Sequence, residues 1–237
     1  PDAKIVAFVH AETSTGVYSD AKTLCAMAAQ AGCLSIVDSV TGLAGVELLV
    51  DEWAADVTYS GTQKCLSAPP GISLITFSDK AAARVQSRNT PVQSWFLDLS
   101  LLMAYWQGEG ARTYHHTAPV NAMYGLHEAL LMVKEEGIEN AWQRHRDMHG
   151  LLTEGVRSLG LDFVVNAECR LPQLNLVRCP EGLDEAAVRR RLLEEYNLEI
   201  GAGLGAFAGK VWRIGLMGYS ARRENVELCI SALRSCI

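Results

Sequence analysis

Short runs rich in β-branched residues, at 4–9, 34–38, 56–59 and 72–77, alternate with segments at 20–31 and 79–88 whose apolar positions recur at helical spacing. This alternation predicts an α/β fold: a mostly parallel sheet with helices on both faces. Asp20 is placed to cap the first helix and Gly32 to stop it, and Asp79 takes the capping place before Lys80 to Arg88. From 118 to 160 the pattern is helical apart from a break at Gly137. Strands at 162–166, 173–178 and 211–216 and helices at 184–196 and 221–235 follow. The change divides the chain into a large unit, 1–137, and a smaller C-terminal α+β unit, 138–237. No repeat, low-complexity tract or Pro/Ser-rich linker separates them, so two packed lobes are expected rather than tethered domains.

Composition narrows the function classes. The 237 residues are 49% hydrophobic and 20% charged, enough apolar material for a sizeable core. The net charge of −6 leaves no broad basic field, so neither nucleic acid nor an anionic membrane is expected as a partner. The apolar stretches at 71–77 and 97–106 fall short of the roughly 18 to 20 residues that cross a bilayer. Seven cysteines with no Cys-x-x-Cys pair read as reduced, buried thiols and favour a reducing compartment. The chain enters its first strand almost at once, without a starting Met or a leader pattern, as though cut from something longer.

Asp38 stands where the apolar strand 34–38 ends, the edge at which α/β sheets bind ligands. A carboxylate there is costly unless something cationic faces it. After the strand at 56–59 comes Ser60-Gly61-Thr62-Gln63-Lys64, a small polar loop ending in lysine and followed by Ala68-Pro69-Pro70-Gly71. A lysine shielded by a rigid Pro-Pro turn can be desolvated into a nucleophile for a carbonyl. A pyridoxal phosphate enzyme needs this pair: a lysine to form the Schiff base and a carboxylate to keep the pyridine nitrogen protonated. On spacing alone, Asp38 as a helix cap and Lys64 as a surface lysine fit as well.

The words around the pair decide between these readings. Val37-Asp38-Ser39-Val40, Tyr59-Ser60-Gly61-Thr62-Gln63-Lys64, Ala68-Pro69-Pro70-Gly71, Tyr114-His115-His116-Thr117 and Arg213-Ile214-Gly215-Leu216-Met217-Gly218 stand in this order. Together they closely resemble the alanine–glyoxylate and serine–pyruvate aminotransferases, class V members of the fold-type I pyridoxal phosphate enzymes. The resemblance implies a cofactor-binding large domain and a small C-terminal domain. It makes Lys64 the Schiff-base lysine and proton shuttle, and Asp38 the partner of the pyridinium nitrogen. Val40 would pack on the ring face, Thr13 would bond near the ring oxygen, and Gln63 would bind the phosphate. Tyr114 and Thr117 would reach the phosphate of the neighbouring subunit's cofactor, implying a homodimer with shared active sites. Arg213 would hold the substrate carboxylate. The implied reaction is ping-pong transfer of an amino group from alanine or serine to glyoxylate or pyruvate.

Two departures qualify the match. The family's chains begin well before this one, and that segment supplies a phosphate loop, a ring-stacking aromatic residue and dimer surface. Position 13 is Thr where relatives often carry Ser. Two other readings therefore stand beside the transaminase: a non-catalytic piece that needs a separate N-terminal part, and a desulfurase-like lyase. The lyase is weakened because its lysine usually follows His, and here Gln63 precedes Lys64.

The glycines at 201, 203, 205 and 209 invite a nucleotide loop, yet position 204 is Leu and Lys210 is followed by Val, against the P-loop pattern. His145 and His149, at i and i+4 without a third ligand, read as surface histidines, and His115 and His116 as structural or interface residues. Arg189-Arg190-Arg191 reads as a solvated helix face with local ion pairs. The compartment stays open among bacterial cytoplasm, mitochondria and peroxisomes, with neither a transit peptide nor a Ser-Lys-Leu tail at the ends.

Overall fold

The computed structural model describes residues 2–107 and 113–237. Strand β1 (Ile5–Val9) leads through a small antiparallel pair, β2 (Ala11–Glu12) and β3 (Val17–Tyr18), into helix α1 (Ala21–Gln30). Next come β4 (Leu34–Asp38), β5 (Val57–Gly61), β6 (Ser73–Phe77) and helix α2 (Asp79–Gln86). The sheet order is β1-β4-β5-β6, parallel except for the antiparallel edge strand β6. The fold is therefore α/β with a mixed, mostly parallel sheet and flanking helices.

Alternation along the strands gives the sheet two unlike faces. Phe8 and Val37 point to the side covered by Ala21 and Cys25 of α1 and by Trp53 and Ala55 of the β4–β5 crossover. The opposite face carries Asp38, and there Ile5, Tyr59 and Ile75 are 52%, 36% and 40% exposed.

Asp20 caps α1 as expected, its carboxylate accepting the Thr23 N–H at 3.0 Å. The cap of α2 lies one residue earlier than expected. Ser78 rather than Asp79 accepts the Ala81 N–H, at 3.1 Å, because its hydroxyl is fixed by donating to the buried Asp56 at 2.9 Å. The apolar stretch around 97–106 forms helix α3 (Leu99–Gln107). Two long helices, α4 (Val120–Glu136) and α5 (Ile138–Ser158), meet at Gly137. Its φ of +85° turns the chain in a region that side chains with a β-carbon rarely enter.

The remainder is a three-stranded antiparallel sheet, β7 (Leu174–Arg178), β8 (Gly201–Ala202) and β9 (Val211–Gly215), in the order β7-β9-β8, with α6 (Glu185–Tyr196) and α7 (Arg223–Cys236). Its core surrounds Trp212, which is fully buried and donates its indole N–H to the Glu185 carbonyl at 3.2 Å. The expected strand at 162–166 is absent. Only a single bridge, Phe163 to Val177, forms, framed by the Val164 N–H on the Leu176 carbonyl and the Arg178 N–H on the Asp162 carbonyl; beyond it the Val165 carbonyl accepts from the Arg170 guanidinium at 2.7 and 3.1 Å.

The arginine run behaves as read: Arg189 pairs with Glu185, and Arg191 with Glu195. All seven cysteines are free. Five are buried, but Cys179 is half-buried and Cys169 exposed, which corrects the expectation of a wholly buried set.

Candidate functional site

The loops leaving β4 and β5 emerge at the same edge of the sheet, because the two strands run parallel. Asp38 ends β4 on the open face. One carboxylate oxygen accepts the Val40 N–H at 2.9 Å, and the other accepts the Tyr59 hydroxyl at 2.8 Å. These two bonds use about half of a carboxylate's acceptor positions, leaving room for a protonated ring nitrogen. Burial, with the bond to Asp38 adding to it, pushes the Tyr59 phenol up to about 12, so Tyr59 stays a donor. Below Asp38, Ser39 gives its N–H and its hydroxyl to the Tyr59 carbonyl, both at 2.9 Å, and Ser60 donates to the Ser39 carbonyl at 3.1 Å.

β5 ends at Gly61, and a tight turn follows. The Thr62 hydroxyl donates to the Pro69 carbonyl at 2.6 Å, and the Ala68 N–H returns to the Thr62 carbonyl at 3.1 Å. A side chain at Gly61 would fall 2.7 Å from the Gln63 amide oxygen, so the glycine lets Gln63 fold back over the turn. Lys64 is half-buried, and its amine meets no carboxylate or carbonyl among the described residues. Cys65, next in the chain, is buried with its thiol against the Thr41 carbonyl at 3.6 Å. Burial pushes that thiol up to about 12, which leaves it without thiolate character.

Arg213, on the central strand β9, crosses to the first unit. Its Nε donates to the Ala202 carbonyl at 2.7 Å and its Nη1 to the Thr13 carbonyl at 3.1 Å, so Thr13 and Arg213 are brought together. The Gln173 amide also reaches the Thr41 carbonyl, at 2.8 Å. Asp38 and Val40 thus stand on the loop after β4, Gln63 and Lys64 on the loop after the neighbouring strand β5, and Thr13 bonds to Arg213. Tyr114 and Thr117 bond to each other at 2.6 Å on the segment after α3, with Tyr114 65% exposed, and among the described residues neither forms a hydrogen bond to those residues.

Two groups escaped the sequence reading. Tyr59 was visible only as part of a motif, since its bond to Asp38 depends on the strand register. His145, expected at the surface, is fully buried in α5 and accepts the Gly218 N–H at 2.9 Å, because that face of the helix packs against the segment that follows β9. His115 is a structural residue, stacked on Trp95 with ring centroids 4.0 Å apart.

Among the described residues no cluster of three His, Cys, Asp or Glu side chains could hold a metal. A cavity of about 1040 Å³ lies behind the lysine loop, between Cys65–Pro69, helix α4 and Tyr219, and includes neither Lys64 nor Asp38. The residues present fit pyridoxal phosphate: an amine free to react, an anchored carboxylate with spare acceptor positions, and in Arg213 a guanidinium whose Nη2 has no acceptor among the described residues.

Comparison with known proteins agrees with this chemistry. The model of the family described as "aminotransferase class-V" matches residues 1–228. The chain is 43% identical over 230 residues to alanine–glyoxylate aminotransferase of Rattus norvegicus, covering 96% of this chain and 56% of the relative. It is 37% identical over 252 residues to (S)-ureidoglycine–glyoxylate transaminase of Bacillus subtilis, covering 99% of this chain and 60% of the relative. The crystal structure of alanine–glyoxylate aminotransferase from Nostoc sp. superimposes with a TM-score of 0.94 at 46% identity, over 98% of this chain and 61% of that one. The chain thus spans somewhat over half the length of the proteins it matches, within the fold-type I architecture. With the family model matching nearly its whole length and these relatives sharing its fold, the chain belongs to the class V aminotransferases.

Proposed function

We propose that the protein is a pyridoxal phosphate-dependent transaminase that moves the amino group of a small amino acid, alanine or serine, to a 2-oxo acid, glyoxylate or pyruvate. The observation that carries this reading is the free amine of Lys64 in the loop beside the doubly anchored carboxylate of Asp38. Bound there, pyridoxal phosphate would supply an aldehyde for an amine to capture and a pyridine ring that accepts electrons. Asp38 would hold a proton at the ring nitrogen, with Tyr59 and the Val40 N–H fixing its plane. Val40 would lie on the ring face, the Thr13 hydroxyl near the ring oxygen, and Gln63 at the phosphate. Lys64 Nζ would attach the cofactor covalently and, once displaced by the donor's amine, would take the proton from the substrate Cα and deliver it to the cofactor carbon that had carried the lysine. Tyr114 and Thr117, bonded to each other with Tyr114 exposed, would serve the phosphate in a second subunit of a homodimer. We read 1–137 as the cofactor-binding unit and 138–237 as the small unit that brings in Arg213.

Arg213 has Nη2 without an acceptor among the described residues, so it can offer a charge-assisted bond to an α-carboxylate. Replacement by lysine loses both the fork and the carbonyl bonds that hold it. Arg213→Lys should lower kcat/KM for the amino donor by about 10- to 100-fold, the equivalent of about 1.5–3 kcal/mol, mostly through KM. Steady-state kinetics at several donor concentrations check it; a KM within twofold of wild type removes Arg213 from the carboxylate site.

The reaction class is tested by absorbance of the complete gene product loaded with pyridoxal phosphate. A visible band should collapse on adding L-alanine or L-serine and return with glyoxylate, because donor and acceptor are used in turn. A band that ignores both amino acids sinks this choice of donor. Because a relative at 37% identity is named for ureidoglycine, (S)-ureidoglycine belongs in the same panel, and collapse with that donor alone would move the assignment to it.

A further inference from the structure

His145 is fully buried on α5, and its two neighbours fix its tautomer. The Ala141 carbonyl can only accept, so Nδ1 donates to it at 2.6 Å; the Gly218 N–H can only donate, so Nε2 is a bare acceptor at 2.9 Å. Arg144, the preceding residue, donates from Nη1 to the Gly218 carbonyl at 2.6 Å. Both main-chain groups of Gly218 are therefore held by consecutive residues of one helix. The charged groups facing His145 are Arg144 and Glu136 of α4, which pair with each other, and burial lowers the imidazole's pKa and keeps it neutral.

What α5 holds so firmly presses on the lysine loop. Gly218 has φ of +54°, and a β-carbon there would fall on the Ser67 hydroxyl and the Cys65 carbonyl oxygen. The next N–H, of Tyr219, donates to the Ser67 hydroxyl at 2.9 Å, and the Ser67 N–H closes on the Lys64 carbonyl at 2.9 Å. Ser67 itself is held at φ of +57°, a conformation that costs a residue with a β-carbon about 1–3 kcal/mol and lasts only where the surroundings impose it. On the far side, Cys65 is seated against Thr41.

We propose that His145 is a positioning residue for Lys64: through Gly218 it sets the loop 65–67, and with it the point from which the lysine amine reaches the cofactor. The proposal rests on the function proposed above. Neither the cofactor nor the substrate touches His145 in this scheme; its effect passes through the Gly218 N–H, while Arg144 holds the Gly218 carbonyl.

The test uses the complete gene product with three variants. His145→Leu removes the acceptor, His145→Gln offers an amide oxygen to the Gly218 N–H, and Ser67→Ala breaks the other end of the relay at an exposed position, leaving its buried neighbours Cys65 and Leu66 in their cluster. In cofactor-free protein, His145→Leu and Ser67→Ala should raise amide hydrogen exchange across 64–68 by about tenfold. After loading, both should shift the pH midpoint of the visible band by about half a unit or more and lower kcat about tenfold with donor KM within twofold, because a misplaced amine slows chemistry more than binding. His145→Gln should recover kcat to within about threefold of wild type. Wild-type exchange, midpoint and kcat in Ser67→Ala and in folded His145→Leu, with only the melting temperature lowered, would overturn the proposal and leave His145 a core residue. Should His145→Leu not fold, Ser67→Ala decides alone. A wild-type protein that forms no Lys64-dependent band overturns the function proposed above and this proposal with it, an outcome distinct from unchanged variants.

Discussion

Lys64→Ala in the complete gene product should leave no visible band with pyridoxal phosphate and should lower the proposed transamination by about ten-thousandfold, the upper end for losing a positioned acid–base group and a covalent attachment point together. The protein itself should be almost untouched. The lysine amine makes no hydrogen bond or ion pair among the described residues, and the loop's conformation is held by other groups: Thr62 to Pro69, Cys65 to Thr41, and Tyr219 to Ser67. A change in unfolding free energy within about 0.5 kcal/mol is therefore expected, as for a surface site. Lys64→Arg separates charge from chemistry, because a guanidinium remains protonated and cannot attack an aldehyde. It should be as inactive as the alanine variant while keeping the positive charge. Absorbance, activity and melting curves measured side by side decide the matter; a band retained in Lys64→Ala would move the attachment point elsewhere.

The strands and most helices were legible because their signals are local. The run at 34–38 buries one face and the run at 4–9 half-buries one, and Asp20 stands immediately before the first apolar-periodic segment, so its capping role follows from position alone. Capping failed as a guide at α2, where Ser78 and Asp79 are both suitable. The choice fell to Ser78 through Asp56, 22 residues earlier. The segment 162–166 has strand composition, but pairing is a property of two strands, and here it stops at the one bridge between Phe163 and Val177.

The candidate site divides along the same line. Asp38, Lys64 and Arg213 stand out through residue type and motif. Their partners do not: Tyr59 reaches Asp38 across a register of parallel strands, and His145 meets Gly218 across 73 residues of chain. Spacing at i and i+4 placed His145 and His149 on one helical face but carried no information on what covers that face.

Acid should weaken the apoprotein well before its carboxylates titrate, and His10 is the main reason. It follows β1, is fully buried, and neither ring nitrogen has a hydrogen-bond partner among the described residues. Its ring lies between those of Tyr18 and Trp53, at centroid distances of 5.0 and 5.5 Å, with Gly42 against it. Protonating it there would place an unpaired cation in a dry site, and burial lowers its pKa from 6.5 to about 4. The unfolded chain therefore binds a proton that the folded chain refuses between pH 6.5 and about 4, so stability is full above this window and falls as pH falls through it. At 1.36 kcal/mol per unit the cost approaches about 3 kcal/mol at pH 4, of which about 2 kcal/mol is already lost at pH 5. Burial lowers His145 and His149 as well, so they add loss of the same sign. Glu136, held below the usual carboxylate range by its bond to Arg144, extends the loss to lower pH. Urea unfolding of the apoprotein between pH 5 and 7.5 should show midpoints rising with pH. His10→Phe, which removes the proton site and both orphaned nitrogens, should lower that slope by about one proton. An unchanged slope in the variant would mean that His10 is charged in the folded protein, with water or a rearranged neighbour serving a ring nitrogen.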